Sequence, residues 1–245
     1  MWTFLYHEVL IRPLFNALIS LYNIIPGHDF GVAIIVLTII IRVILYPLNQ
    51  KSIYSQKALQ DLQPKIKEIQ QKYKNDKEKQ SRALIELYKN NKINPASGCL
   101  PIIIQLPILF ALFSVFKTGL DPTKLNALYS FVHNPGEINH FFIGLVDLSQ
   151  KNIVLAVLAG VAQFWQSRML LTIQPSVKSA GAKDESMAAA VNKQMVYFLP
   201  ILTVFITATL PAGLAVYWLT VTLFGIIQQY LVFGKTNKKD QNLAD

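Results

Sequence analysis

The chain has 245 residues, 52% of them hydrophobic and only 15% charged, with a mean hydropathy of +0.35 and a net charge of +9. That hydropathy is high for a soluble domain and ordinary for a polytopic membrane protein, and charges so few and so one-sided must be clustered. The single cysteine, Cys99, excludes an intramolecular disulfide and a zinc site built on thiolates; it reads as a small packing residue.

In chain order, residues 1–27 come first. Trp2, Phe4, Leu5, Val9, Leu10, Leu14, Leu18 and Leu21 are mixed with His7, Glu8, Arg12 and Asn16, which predicts an amphipathic helix lying on the extracytoplasmic face of a bilayer. Arg12-Pro13 in its middle argues against a sixth span. This segment lacks a basic start, an uninterrupted apolar core and a small-residue cleavage site, so it is expected to be retained.

Five apolar runs follow: Phe30–Leu48, Cys99–Phe116, Ile153–Ile173, Met195–Leu210 and Ala212–Phe233. Each approaches the roughly 20 residues that cross a hydrocarbon core. Backbone groups there must bond internally, so all five are predicted helices, with spans at 28–49, 97–117, 151–173, 194–210 and 212–233. Prolines 101, 107 and 200 predict kinks or irregular turns. Pro211 and Gly213 leave almost no loop between the last two spans.

Residues 50–94 carry eleven Lys/Arg against five Asp/Glu. Leu59, Leu62, Ile66, Ile69 and Tyr73 follow a 3,4 spacing that predicts a heptad seam on one helix. A second helix, with Leu84, Leu87 and Tyr88 on one side, is expected after a turn near Asn75-Asp76, so the block reads as a helical hairpin. Alternating five spans puts 50–94, 174–193 and 234–245 on one side with 18 Lys/Arg, counting Arg168, and leaves four on the other. Positive loops stay in the cytoplasm, so the N-terminus is expected outside and the C-terminus inside, with 118–150 as an extracytoplasmic loop. The small, polar run SVKSAGAKDESMAAA is expected to be a mobile cytoplasmic loop.

The five apolar runs contain no Asp, Glu or His. That excludes the usual proton relay of a coupled transporter and the ligand cluster of a metalloenzyme. No base accompanies Ser114 or Ser167, and no glycine loop cradles a phosphate. The chain is read as a non-enzyme without cofactor or metal. What remains is Arg42, Gln105, Gln163, Gln166, Tyr217, Trp218, Thr220 and Thr222, polar groups of a kind that usually face the inside of a bundle. Arg42 is costly, about 3 kcal/mol at a helix centre on insertion scales. It can snorkel towards Leu48, or it can stand in a wet recess where it attracts something negative.

TIIIRVILYPL, KALQDLQPKIKEIQQKYKNDKEK, NPASGCLPIIIQLPILFALF, VAQFWQSRM and LPAGLAVYWLTVTLFGIIQQ together resemble the YidC/Oxa/Alb family of membrane protein insertases over roughly residues 10 to 233, in the same order. The resemblance implies an all-α polytopic fold: a five-helix core around a hydrophilic groove open to cytoplasm and lipid, with the cytoplasmic hairpin and the interfacial helix already read. It maps the family arginine onto Arg42 and groove positions onto Gln163 and Trp218, and more loosely onto Gln105 and Tyr217. Thr222 stands where many members have a polar residue, often asparagine. Implied partners are nascent membrane proteins and the lipid bilayer of a bacterial cell membrane, with the Sec translocon, the ribosome and a targeting receptor as further ones, and no DNA. Lys72, Lys74, Lys77 and Lys79 are the candidate cytoplasmic contacts. Rival readings are an anion channel using Arg42 as ligand and an assembly factor that chaperones helices without inserting them. No large outer domain, lipoprotein signal or long basic tail is read in this chain.

Overall fold

The structure, a computed structural model, describes residue 4 and residues 6–94, 100–119, 128–171 and 183–241. Trp2, Leu5, Cys99 and residues 120–127 and 174–182, all within segments read above, lie outside the described residues. A π-helical turn, His7–Ile11, leads into α1 (Arg12–Ile24). Then come α2 (Phe30–Ile44), α3 (Tyr46–Asp61), α4 (Gln63–Lys72), α5 (Lys77–Asn90) and α6 (Leu100–Gly119). A two-strand hairpin, β1 (Phe141–Phe142) and β2 (Val146–Asp147), precedes α7 (Ile153–Leu171), α8 (Lys183–Thr209) and α9 (Ala212–Gln241).

The breaks are written in the prolines. Pro13 cannot donate a helical bond, and the turn before it widens until Arg12 N–H reaches His7 O. Pro47 cannot donate to Val43, so α2 ends at Leu45, whose N–H bonds Ile41 O at 3.0 Å. The expected span 28–49 is therefore helical over Phe30–Ile44 and then interrupted. Pro64 divides α3 from α4 at Leu62, so the expected heptad seam lies on two helices rather than one, with Leu62 and Ile66 buried. Pro107 and Pro200, by contrast, stand inside α6 and α8 without breaking them. The segment read as a loop over 174–193 is helical from Lys183 on, where MAAAVNK is rich in alanine. α9 continues past residue 233 to Gln241.

The chain forms two compact units. The first comprises Met1–Leu45, Ile102–Gln163 and Ile201–Phe224. Its core joins Phe15, Leu18, Ile19 and Tyr22 of α1 to Phe30, Ile34 and Leu37 of α2, Leu112 and Phe116 of α6, and Leu214 and Tyr217 of α9. The apolar face of α1, expected to lie on lipid, is thus buried against protein; Ile24 at its end stays 76% exposed.

Residues 128–150 clamp one end of this unit. Asn16 Oδ1 accepts from Tyr129 N at 2.6 Å, the Tyr22 hydroxyl accepts from Asn139 N at 2.8 Å, and Asn23 Nδ2 donates to His133 O at 2.7 Å. At the start of α9, Ala212 N donates to Gln150 O and Gly213 N to Leu148 O. Gly31 is required here: a Cβ would fall 2.9 Å from Cβ of Phe142 and closer still to its ring.

The second unit comprises Tyr46–Pro101, Phe164–Pro200 and Gly225–Asp245. In it α4 and α5 pack together, and buried Gln80 donates from Nε2 to Gln70 O at 3.1 Å. Leu84, Leu87 and Tyr88 are half-buried while Ile85 is 66% exposed. Gln228 of α9 donates to Tyr46 O at 3.1 Å.

Among the described residues, one stretch, Ala212–Phe233, is long and apolar enough to cross a bilayer unaided. α2 with α3 qualifies only as a bent pair, and Ile103–Phe116, Ile153–Met169 and Val196–Thr209 are shorter apolar stretches inside α6, α7 and α8.

Candidate functional site

Four helices of the first unit carry polar side chains, and six of the residues singled out in the sequence fall there in two separate groups. Arg42 stands in the last turn of α2 because Pro47 stops that helix early. The unpaired carbonyls of a helix C-terminus carry partial negative charge, which favours a cation there. The guanidinium donates to Gln105 Oε1 of α6 at 3.3 Å. Gln105 in turn donates from Nε2 to the hydroxyl of Tyr217 on α9, which is only 2% exposed. The line Arg42–Gln105–Tyr217 therefore crosses three helices. No carboxylate pairs with Arg42 among the described residues, so its charge is hydrogen-bonded but not neutralised.

One residue on, Trp218 points elsewhere. Its indole N–H donates to Gln163 Oε1 of α7 at 3.3 Å. Thr222, a turn later and 1% exposed, approaches the same oxygen at 3.5 Å. A hydroxyl has one proton, and Thr222 Oγ1 lies 2.8 Å from Trp218 O, so that carbonyl takes it and the contact with Gln163 is marginal. Thr220 is likewise satisfied by its own helix, donating to Val216 O at 2.8 Å. Gln166, the other glutamine of VAQFWQSRM, is not in this pair; its amide lies against Gly225.

The four lysines are on another part of the chain, around the turn between α4 and α5. Lys72, Lys74, Lys77 and Lys79 are all exposed. Lys72 Nζ stands 5.5 Å over the Tyr73 ring. Asp76 caps α5, accepting from Lys79 N and pairing with Lys79 Nζ, both at 3.0 Å. The backbone N–H of Lys79, then its side chain, hold the Asp76 carboxyl below the usual carboxylate range. Lys79 is thus partly spent on its own helix cap.

Sequence reasoning passed over the second polar group. Asn49, Ser52, Lys57, Gln228 and Gln229 are buried in the second unit. The signal was present in the two adjacent glutamines that end GIIQQ, inside an otherwise apolar run. No group of His, Cys, Asp or Glu among the described residues is arranged to hold a metal.

Comparison with known proteins was decisive about kinship. Residues 20–239 match the family described as 60Kd inner membrane protein. A Fusobacterium nucleatum protein named membrane protein insertase YidC is 38% identical over 207 residues, covering 84% of this chain and 87% of the relative. Proteins of the same name from Geobacter sulfurreducens and Campylobacter jejuni are each 34% identical, over 226 and 232 residues. There the match takes in 91% and 93% of this chain but 37% and 39% of the relatives, so the chain spans little more than a third of their length. With the family matched over most of its length, the chain belongs to the 60Kd inner membrane protein family, the YidC/Oxa group its motifs resemble.

Proposed function

We propose that the chain is a membrane protein insertase that takes short polar tails of nascent membrane proteins part-way across the bilayer. One observation carries the reading: a hydrogen-bonded line, Arg42–Gln105–Tyr217, with a cation at one end and no carboxylate to neutralise it, beside the Trp218–Gln163 pair. Such a line offers donors and acceptors to a polar segment leaving water, while the excess positive charge favours an acidic one. The names of the relatives support the same reading.

In this mechanism α2, α6, α7, α8 and α9 are the five spans, with the N-terminus outside and the C-terminus in the cytoplasm. The 20 residues of α6 reach about 30 Å, the thickness of a hydrocarbon core. A substrate meets the basic turn at Lys72, Lys74, Lys77 and Lys79 on the cytoplasmic side. Its outer tail then enters a hydrophilic groove lined by Arg42, Gln105, Gln163, Tyr217, Trp218 and Thr222. Its apolar segment slides into lipid between α7 and α9. Transfer of that segment to hydrocarbon drives the step, helped by about 2.3 kcal/mol per tail charge per 100 mV of membrane potential. No bond is made or broken and no cofactor is needed. The Sec translocon, the ribosome and a targeting receptor are the further partners of this reading.

The test uses the purified chain in liposomes without other translocases, with a single-span substrate bearing an acidic N-terminal tail. Protease protection of the tail that depends on the chain and drops with Arg42→Ala supports the insertase. Folded, correctly oriented protein that protects nothing makes it a chaperone. Anion flux blocked by Arg42→Ala makes it a channel. Neutralising the four lysines separates topology from contact: unchanged topology with lost insertion supports contact.

A further inference from the structure

The hairpin β1–β2 departs from the pattern of a solvated antiparallel pair, which alternates an apolar inner face with a polar outer one. Phe142 and Val146, which pair in the ladder, turn inward and pack on the core, with Phe142 against Gly31. Most residues pointing away are also apolar, with Phe141 48%, Ile143 65% and Leu145 83% exposed, and the one carboxylate on that face, Asp147 opposite Phe141, is turned to its own chain, accepting from Ser149 N and Oγ. From Ile138 to Val146 the sequence INHFFIGLV contains no Lys, Arg, Asp or Glu. The turn is built to present these side chains. Ile143 has φ +52°, a conformation that a β-branched residue rarely adopts, and Gly144 follows at +68°. The Ile143 N–H donates to Asp29 Oδ2 at 2.6 Å, which secures the strained residue.

The hairpin is also fixed in height. Asp29 caps the first turn of α2 through Val32 N, and the return strand runs on to Leu148 and Gln150, which accept from the first turn of α9. α7 begins two residues after Lys151 with Ile153 and Val154, 63% and 64% exposed. The apolar tip thus belongs to the end of the unit where three apolar helices start: α2 and α9 are buried there, and α7 begins with exposed apolar residues of its own.

We propose that the β1–β2 tip, Phe141, Ile143 and Leu145, is a lipid-binding anchor seated in the bilayer interface at the end where α2, α7 and α9 begin. It holds the clamped end of the bundle against the membrane surface. The inference rests on the membrane-spanning reading of those helices.

Single cysteines at 145, 136 and 223, placed in a Cys99→Ser chain, carry an environment-sensitive fluorophore in liposomes of phosphatidylethanolamine and phosphatidylglycerol. The expected result at 145 is a blue-shifted emission, iodide quenching several-fold weaker than at 136, and quenching by lipids brominated near the carbonyl level. Leu223, exposed on α9, serves as the membrane control. Iodide access at 145 equal to that at 136, with 223 protected, overturns the anchor alone; access at 223 as well overturns the spanning reading. Protection at 145 that varies with protein-to-lipid ratio assigns the tip to a second copy, and protection seen only with substrate assigns it to cargo. Either overturns the proposal.

Discussion

The guanidinium of Arg42 donates to Gln105 Oε1 at 3.3 Å, and the amide of the same glutamine is committed to the hydroxyl of Tyr217. Gln105 thus holds the cation with a neutral acceptor. It orients the charge and leaves it available. Gln105→Glu puts a carboxylate in the same place, and two opposite charges about 4 Å apart attract by about 4 kcal/mol at an effective dielectric of 20. The carboxylate also accepts from Tyr217, so the variant is expected to fold. Insertion of acidic-tailed substrates should fall several-fold, as with Arg42→Ala, and neutral tails should suffer less. Equal insertion of both tails by this variant, in the liposome protection assay, removes the electrostatic role.

Tyr217→Phe keeps the buried ring and deletes the oxygen that accepts from Gln105. A polar group left without its partner costs about 1–3 kcal/mol. The unfolding midpoint in detergent should drop accordingly. Adding Gln105→Leu should cost less than the sum of the two single changes, because the orphaned amide is then gone. Additive losses would mean that the two side chains are not coupled.

Asp29 has two acceptors and two duties. Oδ1 caps α2 at Val32 N, 2.9 Å, and Oδ2 holds Ile143 N at 2.6 Å. Asp29→Ala loses both, with about 1 kcal/mol expected from the cap alone. Asp29→Asn retains a good cap but offers an amide N–H₂ where Ile143 needs an acceptor. Limited proteolysis should therefore show the 141–147 turn opening in both variants, while the stability loss in detergent is larger for alanine. Equal turn protection in Asp29→Asn and the parent chain would show that the tether is dispensable.

The cap at Asp76 predicts a pH dependence. Hydrogen bonding by Lys79 lowers the native pKa of this carboxyl below its ordinary 3.8. A depressed carboxylate stabilises the fold fully above its unfolded pKa, and the gain is lost as pH falls through the native value. Protection of the Lys79 amide from hydrogen exchange should hold at neutral pH and fall only on the acid side of the ordinary carboxylate pKa. Asp76→Asn should flatten that dependence.

Much of this was legible in the chain itself. Apolar runs locate helices because backbone groups away from water must bond within their own segment. Arg42, Gln163 and Trp218 stand out because polar side chains are costly there. The early end of α2 was also written in Tyr46-Pro47, yet the unbroken hydropathy across Leu48 masked it. That shift changed the meaning of Arg42: it is two residues from its helix end, not six, and lies where the terminal carbonyls favour it.

The sequence alone could not choose between Gln163 and Gln166 as the partner of Trp218. The two are three residues apart on one helix face, and the choice depends on the height at which α9 packs beside α7, some 50 residues away along the chain. Nor does any periodicity reveal that 128–150 clamps the bundle through Asn16, Tyr22 and Asp29, since irregular backbone bonds to whatever folding brings near. The sequence by itself determined where the apolar helices lie, though not the helix that begins at Lys183, and which residues are costly enough to need a partner, because those are local properties of solvation and backbone chemistry. Only the tertiary structure decided who the partners are, because adjacent residues such as Tyr217 and Trp218 leave a helix about 100° apart and meet different neighbours.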